Sequence, residues 1–189
     1  MQQITSSPKA TGAAKRGSSS DQAGRHSIAS LAWPTSLHSS GRRPSQYEHF
    51  FVDAYQAPLI NLVEMVRQGA PAGVVAQLAE HMRIPEKRLI DALGLSRASV
   101  KRKVAQGLPL TASESSRVLG LARMIGQVQF MVHELGGPDQ FDAAAWLAGW
   151  LEDALPALGG RMPAEFMDTA EGQAMVAQLL AQTRSGAYA

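Results

Sequence analysis

The chain has 189 residues, 45% of them apolar and none of them cysteine. That length suits one domain or a small pair with a buried core, and the lack of cysteine excludes disulfides, thiolate catalysis and cysteine-ligated zinc. The formal charge of +2 hides a division along the chain. Residues 1–45 carry six Lys/Arg against one acid, residues 46–82 one against four, residues 83–103 seven against two, and residues 104–189 four against nine. A basic island therefore sits inside an acidic protein, which points to a local polyanion contact rather than general basicity.

Residues 1–45 are rich in Ser, Gly, Ala, Thr and Arg, and their few apolar side chains include Ile4, Ile28, Leu31, Trp33 and Leu37. No helical or strand period holds there, so the segment cannot bury enough apolar surface to offset its ordering entropy, and a disordered arm is expected. Composition alone also allows a transit peptide. A translation start upstream of the folded protein and a functional arm remain alternative explanations. The N-terminus has no apolar signal core and no run approaches the ~20 residues of a membrane span, so a cytoplasmic protein without membrane contact is expected.

From Gln46 the pattern turns helical. Phe50, Phe51, Ala54, Leu59, Leu62, Val63 and Val66 recur at three- and four-residue intervals, with Pro58 dividing the run because it has no N–H to donate. A helix over 72–82 comes next, with Val74, Val75, Leu78, Ala79 and Met82 on one face. Another, over 85–93, turns Leu89, Ile90 and Leu93 inward. Gly94 is a left-handed stop, Leu95 the buried residue of the turn, and Ser96 the N-cap of a helix over 97–105. In that helix Val100 and Val104 are expected to face the core.

Helix, Gly94, Leu95, Ser96, helix is the local grammar of a helix-turn-helix, whose second helix lies in a major groove. In this reading Ser96 caps that helix, Arg97 and Ser99 reach base edges, and Lys101, Arg102 and Lys103 hold phosphates. The competing explanation is a solvated basic helix in an ordinary bundle. A capping box at Thr111 and Glu114 opens a long helix to about 134. Its inner face holds Val118, Leu121, Ile125, Val128 and Val132. Leu119, Ala122, Met124, Phe130 and Met131 widen that face enough for part of it to serve a dimer. Residues 136–138 break it.

The last third carries an ordered set of landmarks: Trp146 with Leu147, Leu158 with Gly159 and Gly160, Pro163, Asp168 and Thr169 with Gly172, Val176 with Leu179, and Gly186 with Tyr188. In order and spacing this stretch resembles the toxin-binding tail of the Xre/MbcA/ParS antitoxins. Upstream, Arg102 with Lys103 and the run Ser113, Glu114, Ser116, Arg117 also match that family, so the resemblance spans roughly residues 74–189. The long arm and the Gly107, Leu108, Pro109 turn depart from it.

The resemblance implies a helix-turn-helix coupled to a toxin-binding region, and a RES-domain toxin that acts on NAD as partner. It further implies that the chain's end enters the toxin's NAD cleft, with Arg184, Ser185, Gly186 and Tyr188 in contact there; a frayed terminus is the alternative. From the residues alone, Trp146 is expected in the core and Trp150 partly exposed toward a partner. Asp168 or Thr169 is expected to cap the last helix.

No metal-ligand pair of histidines, nucleophile elbow or phosphate loop occurs, so no catalysis, metal or cofactor is expected. The expected architecture is all-α: a disordered arm (1–45), a helix-turn-helix module (46–135) and a toxin-binding region (136–189). The expected partners are a RES-domain toxin, operator DNA and a second copy, giving a homodimer and a hetero-oligomer with toxin. The rival is a helical transcription regulator whose C-terminal helices only dimerise.

Overall fold

The computed structural model describes residues 31–34, 46–138 and 140–183, with side chains of the first helix from His49 onward. Among them are eight α-helices and no strand: α1 (Gln46–Gln56), α2 (Leu59–Gln68), α3 (Val74–His81), α4 (Glu86–Ala92), α5 (Arg97–Gln106), α6 (Ala112–Glu134), α7 (Ala143–Trp150) and α8 (Ala170–Thr183). Two short 3₁₀ turns, Pro156–Leu158 and Pro163–Phe166, connect α7 to α8. The chain is all-α, as the absence of period-two patterning leads one to expect.

The fold is built around α6. Its 23 residues start at the expected capping box, where Thr111 Oγ1 accepts from the Glu114 N–H and the Glu114 carboxylate accepts from the Thr111 N–H. It ends before Gly136, which takes a left-handed φ of 67°. Val118, Leu121, Ile125 and Val128 are buried, and so are Leu119, Ala122, Met124 and Met131. α1, α2, α7 and α8 all pack on this helix. The width of its apolar stripe is therefore used largely inside one chain, while Leu119 and Met124 also line a groove open beside α2. α1 crosses closest at Gly126, where an added Cβ would lie 1.9 Å from the Phe51 carbonyl oxygen. Only glycine lets the two backbones meet there.

Two expectations are corrected. Pro58 does separate α1 from α2, but Leu59 and Val63 are exposed. The inner face of this ten-residue helix is already supplied by Leu62 and Met65. In the region expected to be an arm, Trp33 is part of the core. Its indole Nε1 donates to the Met65 carbonyl at 3.3 Å, and its ring lies 5.7 Å from that of Phe50. A buried Trp contributes a large apolar area and needs a partner for its N–H; α1 and α2 provide both. Leu31 also packs against the core, and residues 1–30 and 35–45 lie outside the described residues.

One continuous core runs from Trp33 to Leu180. The loop after α2 is tied into it by polar contacts: Ser115 Oγ accepts from the Ala70 N–H at 2.9 Å, and the Ala70 carbonyl accepts from the Leu110 N–H at 2.8 Å. Ser115 is fully buried, so these bonds satisfy groups that water cannot reach.

Candidate functional site

The helix-turn-helix is α4, the turn through Leu93, Gly94, Leu95 and Ser96, and α5. Gly94 takes φ 58° and Leu95 is buried. Ser96 Oγ accepts from the Ser99 N–H at 3.4 Å, and Gly107 closes α5 in the left-handed region. Each of these local features is legible in the residues that carry it.

Apart from Lys103, the side chains expected to reach DNA divide into three groups. Lys101 and Arg102 are exposed and enter no ion pair among the described residues. Arg97 is half-exposed, but its guanidinium is held back on the carboxylate of Asp91 of α4, with Nε to Oδ1 at 3.0 Å. The same guanidinium holds the Asp91 carboxyl below its ordinary pKa. Ser99 is half-buried and Ser96 is exposed while serving as the cap.

Lys103 is the correction. It is only 7% exposed, and its Nζ meets the Glu114 carboxylate. The inward face of α5 runs from Val100 to Lys103, at i and i+3, and leaves Val104 exposed. Lys103 is therefore withdrawn from the surface and ties α5 to the start of α6. Burial raises the Glu114 carboxyl, but hydrogen bonds from Lys103 and from the Thr111 N–H and hydroxyl outweigh it, leaving its pKa below the ordinary value.

Arg117 joins this module to the C-terminal region. Its Nη1 donates to the carbonyls of Leu93 (2.9 Å), Gly94 (3.0 Å) and Asp168 (3.3 Å). A cation at the C-terminal end of α4 is favourable to its dipole. The seat is tight: an added Cβ on Gly94 would lie 2.9 Å from Asp168 Cβ. Ion pairs bridge the same two regions, Arg83 to Asp142 at 2.6 Å and Arg88 to Glu152. Buried Gln173 of α8 donates to the carbonyls of Arg117 at 3.0 Å and Met167 at 2.8 Å.

In the C-terminal region the two tryptophans exchange the expected roles. Trp150 is 8% exposed and Trp146 39%. After α7 the chain turns back, pairing Leu155 with Arg161, and Trp150 is buried where Leu155, Pro156 and Ala157 approach Leu179 and Thr183 of α8. Trp146 is left on the surface, stacked on Trp150 at 6.3 Å and 6.3 Å from the Phe141 ring. A small cavity of about 190 Å³ lies between Trp150, Leu155, Pro156, Ala157, Leu179 and Thr183. Thr169 caps α8, its Oγ1 accepting from the Gly172 N–H at 3.0 Å. Asp142 caps α7 in the same way, accepting from the Ala145 N–H at 2.9 Å. Arg184, Ser185, Gly186 and Tyr188 lie outside the described residues.

Residues 62–123 match the model of the antitoxin Xre-like helix-turn-helix domain, and residues 139–186 that of the antitoxin Xre/MbcA/ParS C-terminal toxin-binding domain. The Prs ADP-ribosylating antitoxin of Sphingobium sp. (strain YBL2) is 42% identical over 135 residues, which is 71% of this chain and 85% of that relative. The chain belongs to the Xre/MbcA/ParS antitoxin family.

The antitoxin's two matched segments are not separate bodies. The helix-turn-helix match ends at Arg123, midway along α6, and α7 and α8 pack on that same helix. The residues that make this junction, Arg117 and Gln173, are not legible as contacts in the sequence. Arg117 stands out as part of a family run, but nothing local to it indicates partners 23 and 51 residues away. Among the described residues no group of three His, Cys, Asp or Glu is placed to hold a metal ion, and no helix is long and apolar enough to cross a membrane.

Proposed function

We propose that this antitoxin binds and blocks a RES-domain toxin that consumes NAD, and that it represses its own operon through the helix-turn-helix as a cytoplasmic homodimer without catalytic activity of its own. The toxin-binding match over 139–186 carries the first half of this reading. Within that segment the Trp150 cavity is lined by Thr183, from which the small residues of the tail and Tyr188 continue. A short segment of small residues with one aromatic can enter a concave nucleotide site that a helix bundle cannot. The relative's name speaks of ADP-ribosylation, a transfer that breaks the bond between nicotinamide and ribose in NAD, and this supports an NAD-consuming partner. Exposed Lys101 and Arg102 on the second helix of the helix-turn-helix support the operator contact.

The test separates docking from inhibition. A chain truncated after Thr183 keeps every described core residue, so it should still fold, bind operator and pull down the toxin, while NAD turnover by the toxin resumes within the complex. Arg184→Ala should give a milder loss, in keeping with one charge-assisted contact of roughly 1.5–3 kcal/mol. Full inhibition by the truncated chain at saturation would reject the tail's role. Failure to co-purify with a RES-domain protein encoded beside it would favour a regulator whose C-terminal helices only dimerise.

A further inference from the structure

α2 turns an apolar ridge outward. Leu59 is 73% exposed, Ile60 61% and Val63 42%, on a helix whose inner face is already filled. Contiguous apolar surface of this kind marks an interface more often than chance. Beside the ridge lies a groove of about 570 Å³, to which α2 contributes Leu59 and Val63, α6 Leu119 and Met124, and α8 Ala174 and Ala177. The alanines leave the far wall low, so the groove is wide enough to admit side chains from outside.

The groove is also charged in one sense only. Arg67 and Arg123 line it and no carboxylate does. Arg123 Nε is buried and has no hydrogen-bond partner among the described residues. A buried donor without an acceptor is costly, so the groove calls for an occupant that brings apolar side chains and a carboxylate together.

We infer that this occupant is a second copy of the chain, seated with the ridge of each copy in the groove of the other. The ridge supplies what the groove lacks. Glu64, one helical turn after Ile60, is exposed and enters no ion pair among the described residues, so a copy entering ridge-first carries a carboxylate toward the arginines. Ridge and groove adjoin on one surface and share Leu59 and Val63. A two-fold rotation therefore lets each copy give and receive the same contact, which closes as a dimer rather than a filament. This surface deepens the homodimer of the proposed function and rests on it.

The full chain tests it by light scattering and sedimentation equilibrium. The unaltered protein should be a dimer at micromolar concentration. The double variant Ile60→Glu, Val63→Glu should be a monomer with unchanged helicity, since both positions are exposed in the single chain, and its melting temperature should lose the concentration dependence that dimerisation gives the parent. Glu64→Arg and Arg123→Glu should each weaken the dimer by roughly tenfold or more, and the combined charge swap should recover much of that loss. Because the chain has no cysteine, a single Val63→Cys offers a unique thiol, which should cross-link the dimer through a short bifunctional reagent. A monomeric unaltered protein would overturn both the surface and the homodimer. A dimer unmoved by the ridge and charge variants would overturn the surface alone. A ridge variant that stays dimeric but no longer co-purifies with toxin would give this face to the toxin and also overturn the inference.

Discussion

At the scale of single residues, Lys101, Arg102 and Lys103 look alike in sequence and differ in the fold. The first two are exposed, while Lys103 is buried on Glu114. Ala at position 101 or 102 should therefore flatten the salt dependence of operator affinity by ~0.9 per lost phosphate contact, leaving stability unchanged. Lys103→Ala should do the reverse: no change in salt slope, and a loss of about 1–3 kcal/mol in urea denaturation from removing one partner of a largely buried pair. The pH dependence comes from Glu114, whose folded-state pKa lies below its ordinary value. A depressed carboxyl stabilises the fold above its unfolded pKa, about 4.3 for Glu, and that contribution is lost as pH falls through the lower folded value. The gap between the parent and Lys103→Ala should thus be full at pH 7 and close in the acid range. A gap that persists there would mean that the lysine acts through its methylene packing. The tryptophans show the same limit of sequence reading. Spacing at i, i+4 puts Trp146 and Trp150 on one side of α7 but does not say which of them the rest of the chain covers.

At the scale of elements, the local signals are sound. Caps at Ser96 and Thr111, the left-handed stop at Gly94 and the break at Pro58 each depend on residues within a turn of one another, and each is legible. What is not legible is the seating of one element on another. The turn through Gly94 can be read, but not that it lies against Asp168 under the Arg117 guanidinium. Gly94→Ala meets two costs at once: a left-handed backbone, roughly 1–2 kcal/mol for a residue with a Cβ, and a Cβ pressed on Asp168. It should lower the melting temperature and weaken operator binding, because the angle of α5 depends on this turn. Arg117→Ala leaves the carbonyls of Leu93, Gly94 and Asp168 without this donor and should cost about 1–3 kcal/mol. If Arg117→Ala melts at the parent temperature, the junction is a surface contact with little hold on the fold.

At the scale of the whole molecule, the core runs across the boundary that the break at residues 136–138 suggests. It also reaches back to Trp33, which sits in a stretch whose composition gives no hint of it. Leu31, Trp33 and Leu37 are too few and too irregularly spaced to set a period from which to infer burial. Trp33→Ala should cost about 3 kcal/mol, readable as a shifted urea midpoint. The boundary at 135 allows a sharper test, namely expression of residues 136–189 alone. α7 has eight residues and α8 fourteen, and isolated helices below ~12–15 residues are marginal in water. In the full chain these helices are held by α6. Leu147, Val176 and Leu180 are fully buried, and α6 and α8 are stitched by Gln127 to the Ala177 carbonyl and Gln173 to the Arg117 carbonyl, both at 3.0 Å. Cutting at 135 removes the surface that buries all three apolar residues and one end of each polar bond. The fragment should therefore show weak helical circular dichroism and no cooperative melt. It should also fail to block the toxin, although it contains the whole toxin-binding match. A cooperative melt in the isolated fragment would show that α7 and α8 fold without α6, and that the shared core is an interface between two autonomous units.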